Sequence, residues 1–170
     1  MANQPKLEVP RTQTERILQM VGIGAVVAMW AYVARVWPEI PAKVPIHFDL
    51  AGTPDGWGSR GELLALPIGA TLTFLVCTLL ERVPHVHNYP IQITAANAPA
   101  VYALSRLSVL WLKLIVILGM GFGFAATVET ALGRATGLPG WYSPVFAGSL
   151  AAVLIVTIVR MRRSREVLPG

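Results

Sequence analysis

Charged side chains are scarce in this sequence. Asp, Glu, Lys and Arg supply 14% of the chain, whereas 54% of it is hydrophobic. A water-soluble domain carries about 25% charged residues, so too little polar surface is available here for an ordinary soluble fold. Cysteine is nearly absent. Cys77 stands alone, which excludes an intramolecular disulfide, and no Cys/His spacing around it forms a metal motif. It reads as a small buried apolar residue. The chain also lacks a second, polar domain, a low-complexity segment and any internal repeat.

What fills the sequence instead is long apolar runs. Uncharged stretches cover Ile17 to Ala34, Leu63 to Leu80, Leu114 to Val128 and Leu138 to Val159. The third is lengthened on its amino side by "LSVLWL" before Lys113. A helix of about 20 residues crosses a hydrocarbon core of roughly 30 Å. The expected architecture is therefore an all-α integral membrane protein, a four-transmembrane-helix bundle with its helices near 13–36, 62–80, 98–128 and 143–160. One ordered extracytoplasmic loop, 37–61, and one cytoplasmic loop, 81–97, connect them. A mobile cytoplasmic segment, 1–12, precedes them and a basic tail, 161–170, follows. The first run is read as a retained helix, because Trp30, Tyr32 and Arg35 stand where a signal-peptide cleavage site would need small residues.

The net charge of +5 is unevenly spread. Lys6, Arg11 and Arg16 precede the first run; Arg82 and Arg106 lie between the second and third; Arg160, Arg162, Arg163 and Arg165 follow the fourth. The other two loops dilute Arg35, Lys43, Arg60 and Arg134 with Glu39, Asp49, Asp55, Glu62 and Glu129. The positive-inside rule then places both termini in the cytoplasm, at the plasma membrane. Four arginines directly after a span anchor topology and touch anionic lipid; no nucleic-acid partner is expected.

Local signals mark the helix ends. "TQTE" (Thr12–Glu15) and "SRGE" (Ser59–Glu62) have the form of capping boxes. Pro67 falls inside an apolar run and predicts a kink. Asn97 is the expected N-cap of the third helix, and Ser143 that of the fourth, with Pro144 at its first position. In the cytoplasmic loop two prolines and the β-branched Ile91, Ile93 and Thr94 predict an extended connection. Arg106 and Lys113 share a helix face, and Lys113 is read as snorkelling to the interface, with a functional buried charge as the alternative. Gly119 and Gly123, and Gly148 and Ala152, have the small-residue spacing that lets helices approach. Packing of the third helix on the fourth is the default use, and a homodimer the alternative.

The most polar passage is "VPIHFDLAGTPDGWGSR", Val44 to Arg60. "TPDG" is a good type I turn sequence, and Trp37, Phe48 and Trp57 can lie at headgroup depth. A compact cap on the outer surface is the expectation. His47, Asp49 and Asp55 would hold a divalent ion only weakly; the preferred role of His47 is a hydrogen bond within the loop. His85 and His87 alternate onto one face if extended, without a third ligand. No metal site, cofactor or catalytic residue is expected.

The core "PIHF…G…DGWGSR", followed by "NYPIQIT", resembles a bacterial and archaeal membrane family that carries a domain of unknown function and includes the SdpI-type immunity proteins. The resemblance covers about residues 17–128. It singles out Pro45, His47, Phe48, Gly52, Asp55, Trp57 and Ser59, with Asn88, Tyr89 and Pro90 in the cytoplasmic loop. Ile40 and Arg60 stand where the family more often has leucine and lysine. The resemblance implies a membrane protein that protects against a membrane-active peptide toxin and does not imply an enzyme. The expected function is a non-enzymatic immunity or toxin-binding protein, for which the cap would be the recognition surface and the "HNYPIQIT" segment the signalling surface. An accessory subunit of a larger membrane complex is the alternative. A small transporter or metal-dependent membrane protein ranks third, since Lys113 alone qualifies as an ionisable residue within a span.

Overall fold

A computed structural model describes residues 4–166, with side chains through residue 163. Residues 1–3 and 167–170, the ends of the expected N-terminal segment and basic tail, lie outside the described residues, as does the side chain of Arg165. Four α-helices and one hairpin make up the chain: α1 (Gln13–Val36), β1 (Lys43–Phe48), β2 (Pro54–Ser59), α2 (Ala65–Leu80), α3 (Ala98–Ala131) and α4 (Tyr142–Glu166). Short 3-10 turns at Arg60–Leu64 and Pro84–Val86 lead into and out of α2.

The four helices, with α2 extended by the 3-10 turn before it to Arg60–Leu80, are long and apolar enough to cross a membrane, in line with a multi-pass helical bundle. The helix starts follow local chemistry. At α1, Glu15 N–H donates to Thr12 Oγ1 (3.2 Å) and Thr12 N–H donates to a Glu15 carboxylate oxygen (2.7 Å), the reciprocal pairing of a capping box. Glu62 likewise accepts the Ser59 N–H at 2.8 Å, and this box opens the 3-10 turn before α2. The expected kink at Pro67 gives way to a junction. Because α2 begins at Ala65, Pro67 falls in its first turn, where an N–H has no intrahelical partner to lose.

The Asn97 cap holds in position, and the Ser143 cap needs correction. Asn97 occupies the cap position of α3, but its side chain makes no cap bond. It turns back instead, accepting from Thr94 N–H (2.9 Å) and donating to the Gln92 carbonyl (3.0 Å), which closes the preceding turn. α4 begins one residue before Ser143, at Tyr142, whose N–H donates to the Pro139 carbonyl.

The long α3 is the spine and packs against α1, α2, α4 and β1. Apolar clusters follow it from end to end. Val33, Val36, Ile40, Val44, Leu63, Phe124 and Val128 gather where the hairpin meets the helices. Ile91, Val101 and Met161 gather at the opposite end, between the α2–α3 connection, the start of α3 and the last turns of α4.

The all-α expectation is also corrected: β1 and β2 form a two-stranded antiparallel sheet, with Val44 opposite Gly58 and Pro45 opposite Trp57. The expected "TPDG" turn is displaced, so that Pro54, Asp55 and Gly56 belong to β2. The chain reverses over Asp49–Gly52 instead. There Gly52 N–H donates to the Asp49 carbonyl at 3.0 Å and the Asp49 side chain accepts from Thr53 N–H at 2.8 Å. The aspartate mimics a backbone turn, and Gly52 adopts φ +88°, where a side chain is disfavoured.

Candidate functional site

At the hairpin end, the β1–β2 turn is clasped by the connection between α3 and α4. Leu138 N–H donates to the Gly52 carbonyl at 2.8 Å. A β-carbon at Gly52 would sit 2.0 Å from the Leu138 carbonyl oxygen, and one at Gly137 would sit 2.1 Å from that of Gly52. Only two glycines permit so close a backbone approach. Cations stack on two indoles: Lys43 lies 5.9 Å from the ring of Trp57 in β2, and Arg60 lies 5.4 Å from that of Trp37 at the end of α1.

The hairpin residues singled out by sequence divide by role. Pro45 is buried opposite Trp57, Gly52 carries the turn, and Ser59 carries the cap of the 3-10 helix. His47 Nδ1 and Asp55 Oδ1 lie 2.5 Å apart on the exposed side of the sheet, joining the two strands. Asp49 does not join them, since its side chain is engaged in the turn. Among the described residues no three His, Cys, Asp or Glu side chains group closely enough to hold a metal ion. Phe48 instead borders a cavity of about 300 Å³ between the hairpin, α2, α3 and α4. Pro45, Ile46, Leu63, Leu66 and Leu138 supply much of its apolar wall, and Glu62, Thr127 and Tyr142 its few polar groups. Cavities of this size and lining suit apolar ligand segments.

At the opposite end, Asn88 and Pro90 are exposed, whereas Tyr89 is stacked on Tyr102 at 5.9 Å and donates to the Pro84 carbonyl at 2.7 Å. Burial pushes the Tyr89 phenol pKa up. The segment is not extended at His85, which lies in the Pro84–Val86 3-10 turn. His87 Nε2 lies 3.2 Å from the Leu80 carbonyl and Nδ1 lies 2.9 Å from Ser105 Oγ. These partners assign the neutral tautomer with its proton on Nε2 and Ser105 donating to Nδ1. Burial lowers the His87 pKa by disfavouring imidazolium, with the Leu80 carbonyl opposing it.

The least anticipated feature is a pair of buried ion pairs. Lys113 does not snorkel: its side chain has no solvent exposure, nor has that of Glu81, and Nζ meets Glu81 Oε1 at 2.5 Å. Gln19 Oε1 (2.6 Å) and Thr78 Oγ1 (3.3 Å) complete its acceptors, and the ammonium lies 4.9 Å from the Phe74 ring centre. Glu81 also accepts from Arg11 at 3.2 Å. One layer nearer the chain ends, Arg106 Nε donates to Glu15 Oε1 at 2.9 Å, with both side chains buried. Its remaining donors reach the Val9 carbonyl at 2.6 Å and that of Pro10 at 3.1 Å. Three helices thus converge on charges that would be prohibitive unpaired in an apolar bundle. Sequence reading found Lys113 but missed Glu81, Glu15, Gln19 and Thr78. The available signal was an acid closing one apolar run while a lysine interrupted another.

Of the small residues, Gly119 and Gly123 do serve the α3–α4 contact. A β-carbon at Gly119 would meet the Phe146 ring at 2.3 Å, and one at Gly123 would meet Tyr142 Oη at 3.0 Å. Tyr142 donates to the Gly119 carbonyl at 3.0 Å. Their partners are aromatic rings, not the small residues of α4: Gly148 has nothing within 4 Å and Ala152 is exposed.

Comparison with known proteins adds a family likeness confined to the first part of the chain. Residues 24–71 match the family described as a domain of unknown function (DUF1648). This match spans the second half of α1, the hairpin and the start of α2. An uncharacterized protein of Archaeoglobus fulgidus is 36% identical over 89 residues, 48% of this chain and 49% of that protein. The chain therefore spans about half the length of the curated relative it matches. No solved structure matches it.

Proposed function

We propose that the protein is a non-enzymatic, SdpI-like protein of the plasma membrane whose hairpin end faces outward and receives an apolar segment of a membrane-active peptide. Both termini then face the cytoplasm. The observation that carries this reading is the cavity of about 300 Å³ beneath the hairpin, roofed by strands that Gly52, Leu138 and Ser59 pin in place. A fixed roof over an apolar hollow is preorganised for binding, because little ordering entropy is lost when the ligand enters. The exposed indole of Trp57, on the strand opposite the cavity-lining Pro45, suits a ligand arriving along the headgroup layer.

The test is expression of the chain in a sensitive host challenged with membrane-active peptides. Raised tolerance that disappears in Phe48→Ala, while protein level is maintained, supports the reading. Unchanged tolerance for every peptide, or tolerance indifferent to Phe48, counts against it.

A second reading rests on α4. None of the residues in its most apolar window is buried, and Gly148 faces open space. In an accessory subunit or a homodimer this face would meet another helix. Purification in mild detergent yielding only the isolated monomer would remove that reading.

A further inference from the structure

We infer that residues 4–11 form a releasable strap that seals the two buried ion pairs from water at the end of the bundle opposite the hairpin. The segment has neither helical nor strand structure. It crosses that end of the bundle on a row of polar hooks. Gln4 donates to the His87 carbonyl at 3.0 Å, and Tyr102 donates to the Pro5 carbonyl at 2.9 Å. Arg106 donates to the carbonyls of Val9 and Pro10, and Arg11 donates to Glu81.

What the strap covers and how it is held are mismatched. Beneath it Tyr102, Lys113, Glu15, Glu81 and Arg106 are each at most 6% exposed. The strap itself fully buries no apolar side chain: Leu7 is 41% exposed, Pro10 is exposed, and Pro5 and Val9 are half-buried. Segments held by a few hydrogen bonds with little apolar burial occupy the low-stability end of a structure and open locally. When this one lifts, water reaches Glu81 and Glu15, and Arg106 exchanges two carbonyl acceptors for water. The helices below are held by their own apolar clusters and stay in place. Pro5 and Pro10 bias the strap toward an extended form, which lowers the entropy lost on docking. The inference does not depend on what the hairpin end binds.

The test labels carboxyl groups on the full chain in lipid nanodiscs, which expose both membrane faces, using a water-soluble carbodiimide with a glycine ester and mass spectrometry of each acidic position. Glu39, whose side chain is 52% exposed, is the fast reference. Glu81 in the wild type is expected to react far more slowly. The variant Pro5→Gly/Pro10→Gly keeps every carbonyl hook and alters no residue of the bundle. It should raise Glu81 labelling about four- to thirtyfold, since each Pro-to-Gly change frees the undocked strap by about 0.4–1 kcal/mol and labelling tracks the open population. Gln4→Ala serves as an independent release, with Glu39 labelling unchanged in both. Glu81 reacting as fast as Glu39 in the wild type would overturn the seal. Glu81 staying as slow in both variants as in the wild type would overturn the strap. Failure of both variants to fold would do so too, because a releasable segment is dispensable for the fold.

Discussion

Lys113 Nζ and Glu81 Oε1 meet at 2.5 Å inside the bundle, neither side chain exposed to solvent. Removing one partner of such a pair strands a charge in an apolar setting and costs about 3–5 kcal/mol. The two losses should differ. Without Lys113, Glu81 keeps Arg11 as a counter-charge; without Glu81, Lys113 keeps only the neutral oxygens of Gln19 and Thr78. Glu81→Leu is therefore expected to destabilise more than Lys113→Met, and the double variant less than the sum. Unfolding titrations of the four proteins in mixed micelles check the order.

Gly52→Ala should cost at least about 1–3 kcal/mol, because φ +88° is strained for any side chain and the new methyl would collide with the Leu138 carbonyl. Its effect should be confined to the hairpin end. Faster proteolysis of the Val44–Arg60 loop, with the helical circular dichroism signal retained, is the expected outcome.

His87 makes one end of the molecule sensitive to acid. A base whose pKa is lowered by folding binds fewer protons in the folded than in the unfolded state. Its contribution is whole above the unfolded value, 6.5, and is lost as pH falls through the window below it. Protonation also removes the lone pair that accepts the Ser105 hydroxyl. Thermal stability should drop between about pH 7 and pH 5, and His87→Gln should flatten that part of the profile. An equally steep fall in the variant would assign the effect to other groups.

Gly119 and Gly148 separate two kinds of helix contact. Gly119→Val should drive a side chain into the Phe146 ring and loosen α4 from α3, lowering stability by about 1–3 kcal/mol, as overpacking does. Gly148→Val should leave the monomer's stability unchanged, since its β-carbon meets open space. A loss of oligomer in Gly148→Val alone, seen by crosslinking in vesicles, would place that face in an interface.

The helices were legible because their information is local and dense. Apolar length announces each span, and Thr12 with Glu15, or Ser59 with Glu62, needs only neighbouring residues to close a cap. The hairpin was only half legible. "TPDG" and "DLAG" are both plausible turns; Asp49 closes the second locally, and Leu138, 86 positions beyond Gly52, clasps it by donating to the Gly52 carbonyl.

By itself the sequence determined four apolar helices, the capping boxes that open α1 and the turn before α2, and a turn-rich connection between the first two helices, since hydropathy and backbone capping act over a few residues. The tertiary structure alone decided which charges meet. Lys113 and Glu81 are 32 positions apart and Arg106 and Glu15 are 91 apart. A lysine in an apolar run can reach the interface or find a counter-charge, and that choice depends on what the neighbouring helices place beside it. In this bundle they place a carboxylate there, which compensates the cost of removing the ammonium from water.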